Sequence, residues 1–132
     1  MFRPISDRLR SRECDARTLE RIFEVINERT RNPKEQSYVS KLTSQGENSI
    51  LQKIGEETFE LVLAAKDESR RQTISEASDV LFHIMIIFAA KNMDVRECFK
   101  ELESRHYAKT KPHSNADFHV GNSSQKLVYE IS

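Results

Sequence analysis

Apolar residues return every third or fourth position through most of the chain, and the strict alternation of a half-buried strand is scarce. Leu19, Ile22, Phe23 and Ile26 recur at i, i+3, i+4 and i+7, which predicts an amphipathic helix over roughly residues 16–30. Asn32-Pro33 closes it, because the residue before a proline is steered out of the α region. Ser37 is a candidate N-cap for a short helix through Tyr38, Val39 and Leu42, stopped by Gly46. Ser49 with Gln52 reads as a capping box for a helix carrying Leu51, Ile54, Leu61 and Ala65 on one stripe as far as about Asp67. Gly55 inside it costs about 1 kcal/mol relative to alanine, which predicts that something approaches the backbone there. The polar stretch 67–72 reads as a turn. Thr73 with Glu76 forms a second capping box for a helix through Ala90, ended by Asn92. Asp94-x-x-Glu97 opens a last helix with Val95, Phe99 and Leu102 inward, ending near His106.

From Val80 onward the fourth helix is apolar nearly all round, through Leu81, Phe82, Ile84, Met85, Ile86, Ile87 and Phe88. A helix greasy on every face has to be buried on every face. Four or five helices in a chain this small struggle to surround one of their own. The pattern therefore predicts an all-α helical bundle completed by dimerisation, or by a higher homo-oligomer. The apolar run at 80–90 is interrupted by His83 and falls short of the ~20 residues that span a bilayer.

Composition changes this picture little. The 132 residues argue for one domain, here 16–106, preceded by a basic arm (1–15, with Arg3, Arg8, Arg10 and Arg12) and followed by a polar extension (107–132) with a lone apolar patch at Leu127, Val128 and Tyr129. The 21 basic and 21 acidic residues balance, so no global field points to nucleic acid or to a membrane surface. Cys14 and Cys98 lack metal-ligand spacing, and no signal peptide is recognisable, so the expectation is a soluble cytoplasmic protein with free thiols.

The chemistry lies in two acidic pairs, Glu57-x-x-Glu60 and Glu76-x-x-Asp79, set within otherwise apolar helical runs. Each pair occupies one helix face, with Glu56 flanking the first. A short connection lays the two helices antiparallel, so the middle of one must meet the first turns of the other for the four acids to converge. Buried carboxylates cost several kcal/mol unless paired, and no matching cluster of Lys or Arg lies in these runs. A hard divalent cation with oxygen ligands, Mg²⁺ or Mn²⁺, is the remaining partner, which makes the chain a candidate metal-dependent hydrolase of a phosphorylated substrate. His83, one turn beyond Asp79, is either a satisfied core histidine or a supporting partner of the site. Lys53 is either a helical ion pair with Glu57 or a phosphate contact. Glu76 alone reads as a capping residue and Glu56 alone as a solvated acid.

The segments Thr18-Leu-Glu-Arg-Ile-Phe-Glu-Val-Ile, Ser37-Tyr-Val-Ser-Lys-Leu, Ile50-Leu-Gln-Lys-Ile-Gly-Glu-Glu-Thr-Phe-Glu60 and Glu76-Ala-Ser-Asp-Val-Leu-Phe-His83 together resemble the phosphoribosyl-ATP pyrophosphatase family. That family belongs to the all-α nucleoside-triphosphate pyrophosphohydrolase group, with MazG and the dimeric dUTPases. The resemblance covers roughly residues 17–106. It implies a helical-bundle dimer, Mg²⁺ held by Glu57, Glu60, Glu76 and Asp79, Glu56 in the same acidic site, and Lys41 and Lys53 as phosphate contacts. The implied reaction is hydrolysis of phosphoribosyl-ATP to phosphoribosyl-AMP and pyrophosphate, the second step of histidine biosynthesis. Within it, Glu56, Glu57 and Glu60 are the catalytic candidates, with Glu56 foremost for orienting or deprotonating the water. Two departures stand out: Tyr107 and a long unrelated tail where the family continues after Arg105-His106 with a glycine and a short serine- and basic-rich end, and the additional basic N-terminal arm. A MazG-like house-cleaning enzyme acting on free nucleoside triphosphates is the rival enzyme reading. A non-enzymatic helical dimerisation module is the alternative outside enzymology.

Overall fold

A computed structural model of the chain describes residues 14–107. Residues 1–13 of the expected basic arm and 108–132 of the expected polar extension lie outside the described residues. Five helices and no strand are present among the described residues: α1 Arg17–Arg31, α2 Tyr38–Ser44, α3 Glu47–Lys66, α4 Arg70–Ala90 and α5 Arg96–Tyr107. The fold is all-α. The chain divides into two compact units between Val95 and Arg96.

In the first unit, α3 and α4 form a hairpin against which α1 and α2 pack. The hairpin is antiparallel: Lys91, just past the end of α4, pairs at 2.8 Å with Glu47 at the start of α3. Its core joins Phe23 and Ile26 of α1, Val39 and Leu42 of α2, Ile50 of α3, Met85, Ile86, Ile87 and Ala89 of α4, and Val95. Full burial of side chains such as Ile26, Ile50 and Ile86 stabilises by about 1.5–3 kcal/mol each. Ser40, also buried, ties α2 to the end of α1. Its hydroxyl donates to the Arg29 carbonyl at 3.0 Å and accepts the Lys34 N–H at 2.9 Å.

Ser37 caps α2 as the sequence predicts, accepting from the Ser40 N–H at 3.3 Å. The starts of α3 and α4 differ from the prediction. Glu47 already lies in α3, with Gly46 at φ 98° as its N-cap, and the Ser49 hydroxyl reaches back to the Gln45 carbonyl at 3.4 Å. Ser49 is therefore inside the helix and caps nothing. Likewise α4 begins at Arg70, with the Ser69 side chain accepting from the Gln72 N–H at 3.4 Å. Thr73 donates its hydroxyl to the Ser69 carbonyl at 2.7 Å, within the first turn.

The reversal is short because α3 ends in a Schellman motif without glycine. Glu68 takes φ 59°, its N–H reaches the Ala65 carbonyl and the Ser69 N–H reaches the Ala64 carbonyl, the paired 5→2 and 6→1 bonds of that motif. Asn92, at φ 54°, ends α4 the same way, with bonds from Asn92 to Ala89 and from Met93 to Phe88.

Gly55 has no close neighbour within the chain: a Cβ there would meet nothing within 4 Å, so the predicted close approach is absent among the described residues. Gly55→Ala should accordingly stabilise the fold by about 0.5–1 kcal/mol, read as a higher urea midpoint at unchanged slope; a lowered midpoint contradicts an open backbone at this position.

Helix α4 is long and apolar enough, by length and composition, to cross a membrane. It carries Glu76 and Asp79, however, and buries His83, Met85, Ile86, Ile87 and Ala89. In the second unit, α5 buries no residue, and Leu102, expected inward, is half exposed. Arg105 donates to Glu101 one turn earlier at 2.9 Å.

Candidate active site

The early start of α4 decides where the acids fall. Glu76 is its seventh residue rather than its third, so the acidic pair sits about two turns into the helix, opposite the middle of α3. One carboxylate oxygen each from Glu57, Glu76 and Asp79 lies within 4.8 Å of the other two. Two helices thus aim three acids at one point. Glu60, one turn after Glu57, is not among the three but lies near enough to Glu76 to act on its carboxyl by charge and through a side-chain hydrogen bond.

The site's electrostatics are those of an acid cluster. Burial pushes the Glu76 carboxyl above the ordinary glutamate value, and Glu60, Glu57 and Asp79 add to it by charge, Glu60 also through the shared hydrogen bond. A raised acid holds its proton more tightly in the folded state, so its contribution to stability is full below the unfolded-state value of 4.5 and is lost as pH rises through the folded one. Without divalent cation, wild type should therefore lose stability relative to Glu76→Gln as pH climbs above 4.5. Urea titrations in chelator across pH 4.5–7 check this; two parallel curves would refute the clustering. The donor set, all carboxylate oxygen and short of positive charge, suits a hard divalent cation.

The remaining predicted residues divide. Lys53 bridges Glu56 at 3.3 Å and Glu57 at 3.6 Å, the helical ion pair that was one of its two readings. Glu56 is exposed and faces its own helix, accepting from Gln52 at 2.8 Å. Hydrogen bonds from Gln52 and then Lys53 hold its carboxyl below the ordinary value, which makes it a weak proton acceptor. Lys41 lies exposed in the last turn of α2.

His83 is buried at 4 % exposure and fully used. Its Nδ1 lies 2.7 Å from the Asp79 carbonyl. A carbonyl only accepts, so Nδ1 carries the proton, and in the neutral ring Nε2 accepts from the Tyr38 hydroxyl at 2.7 Å. Burial raises Tyr38, as do the charges of Glu57, Asp79 and Glu56 against the opposing pull of Lys53, so the phenol keeps the proton that it donates. The sequence reading passed over Tyr38 in this role. The one signal for it was a tyrosine directly after a serine N-cap, which says nothing of a histidine 45 positions away.

Comparisons with known proteins give the chain a family. The family model for phosphoribosyl-ATP pyrophosphohydrolase matches residues 19–106, which takes in α1 to α4 and all the acids. A phosphoribosyl-ATP pyrophosphatase of Methanosarcina barkeri is 41 % identical over 96 residues, covering 71 % of this chain and 92 % of the relative. One from Bacillus cereus is 40 % identical over 88 residues, 67 % of this chain and 82 % of the relative. A histidine biosynthesis bifunctional protein HisIE of a Nostoc species is 40 % identical over 88 residues, which make up 41 % of that longer protein. A model match across two thirds of the sequence, joined to relatives of this identity, places the chain in the phosphoribosyl-ATP pyrophosphohydrolase family.

Proposed function

We propose that this chain hydrolyses phosphoribosyl-ATP to phosphoribosyl-AMP and pyrophosphate, the second step of histidine biosynthesis, using a divalent cation held by its acid cluster. The observation that carries the reading is the convergence of Glu57, Glu76 and Asp79 from two helices within 4.8 Å, inside the stretch matched by a pyrophosphohydrolase family.

Water adds to phosphorus of the α–β anhydride and the bridging P–O bond breaks: attack at the α-phosphorus expels pyrophosphate with the bridging oxygen, attack at the β-phosphorus expels phosphoribosyl-AMP with it, and the proton lost by the water passes to solvent. Mg²⁺ (or Mn²⁺), when bound, offsets charge on the phosphate oxygens and lowers the pKa of the attacking water. Glu57, Glu76 and Asp79 would hold the ion, and Glu60 would complete the set from its place near Glu76. Glu56 orients the water by accepting its hydrogen bond; its depressed basicity favours orienting over proton removal. Lys53 swings from Glu56 and Glu57 to a phosphate, and Lys41 supplies a second cationic contact. His83 supports Asp79 from behind. The free thiols of Cys14 and Cys98 fit a reducing cytoplasm, and the chain assembles as a homodimer or a multiple of one.

Pyrophosphate release measured across a panel of phosphoribosyl-ATP and free nucleoside triphosphates, with rescue of a histidine auxotroph, tests the reading. Turnover of phosphoribosyl-ATP well above every free triphosphate is expected. Hydrolysis of several triphosphates with none of phosphoribosyl-ATP overturns it in favour of the house-cleaning class, and no hydrolysis at all favours a dimerisation module.

A further inference from the structure

We propose that Tyr38 is a positioning residue for the acid cluster, acting through His83 to hold the turn of α4 that bears Asp79. The inference rests on reading Glu57, Glu76 and Asp79 as a cation site. Tyr38 is the first residue of α2, whereas His83 and Asp79 belong to α4, so the link runs between helices and not along one. The imidazole bonds at both nitrogens, to the Asp79 carbonyl and to the Tyr38 hydroxyl, each at 2.7 Å.

The ring is 4 % exposed, although Tyr38 itself is 46 % exposed, and the Tyr38 hydroxyl is the partner of Nε2. The ring is also fixed by packing. Tyr38 stacks on Phe82 at 6.2 Å and 27°, and both aromatic rings meet His83 edge-on at 5.7 Å. Three rings and two hydrogen bonds therefore locate the 79–83 turn against α2. Asp79 at the head of that turn has to meet Glu57, which comes from α3. Mg²⁺ tolerates little error in such a meeting, because it demands near-octahedral oxygens at ~2.0–2.1 Å. A hinge at Tyr38 that loosens the turn would thus appear first in the affinity for the ion.

Tyr38→Phe removes the hydroxyl and keeps the stack on Phe82. The half-saturating Mg²⁺ concentration, read both from the Mg²⁺-induced rise in melting temperature and from pyrophosphate release, should increase about tenfold. A purely structural hydroxyl would lower the melting temperature in chelator and leave that concentration unchanged, which overturns the proposal. The double-mutant cycle with His83→Asn guards against a general loosening of the fold. If Tyr38 acts through His83, Tyr38→Phe adds nothing further in the His83→Asn background; independent, multiplying effects overturn it. Wild type responding to Mg²⁺ while Tyr38→Phe titrates identically removes Tyr38 alone. Wild type indifferent to Mg²⁺ and Mn²⁺ removes the cation reading and this inference with it.

Discussion

Asp79→Asn and Glu57→Gln should each lower pyrophosphate release from phosphoribosyl-ATP by about 10²-fold or more, a loss on the scale of removing one strong electrostatic group from an active site, while the protein melts no lower in chelator than wild type does. The two halves of this expectation have a common cause. Three carboxylate oxygens within 4.8 Å of one another repel in the absence of a cation, and the upward push on Glu76 is the trace of that repulsion and of burial. Neutralising one acid relieves the metal-free fold and removes a ligand from the loaded one. Mg²⁺ at 100 times its dissociation constant should stabilise wild type by about 2.7 kcal/mol, and each substitution should erase most of that gain. Scanning calorimetry with and without Mg²⁺ reads both terms. A variant that loses activity because it unfolds, or keeps its full Mg²⁺-induced stabilisation, counts against the site.

Much of this site was legible along the chain, because helical spacing carries it. Glu57 and Glu60, like Glu76 and Asp79, are one turn apart, and a short connection forces their helices together. Where α4 begins was not legible, and that displaced the acids by about a turn. The sequence signal for the break, Thr73 with Glu76, competes with Ser69, whose side chain takes the cap. The signal that makes Ser69 available is a left-handed Glu68, and nothing in a glutamate announces a conformation that glycine usually fills. Ser49 misled for a related reason: Gly46 reverses the chain and starts α3 three residues earlier. Apolar periodicity gave part of the core, since Phe23, Ile26, Val39 and Leu42 are buried, but the stripe expected on α3 is off by one position: Ile50 and Ala64 are buried whereas Leu51 and Ala65 are exposed. It could not give the Tyr38–His83 bond, which depends on how two helices far apart in the chain come to rest on each other.

At micromolar concentration, sedimentation equilibrium should find almost no 15.4 kDa species, and Phe59→Asp should either produce that monomer at a much lower melting temperature or prevent folding. The single chain leaves too much apolar surface on the α3–α4 hairpin for solution. Phe59 is 64 % exposed, Val62 57 % and Leu63 45 % on α3, with Ile74 at 56 % and Leu81 at 48 % on α4. The spacing 59, 62, 63 puts the first three on one face of α3, and 74 and 81 lie two turns apart on α4. Covering such side chains is worth about 1.5–3 kcal/mol each when complete, so even partial burial of five rivals the ~5–15 kcal/mol that holds a small domain folded. A second copy offering the same face is the simplest cover, because a two-fold axis satisfies both faces at once. Folding and association are then one equilibrium, and the melting temperature should rise with protein concentration. A charge at Phe59 has to be desolvated in the middle of that surface. A compact 15.4 kDa monomer with a concentration-independent melting temperature would show instead that the hairpin tolerates this face in water.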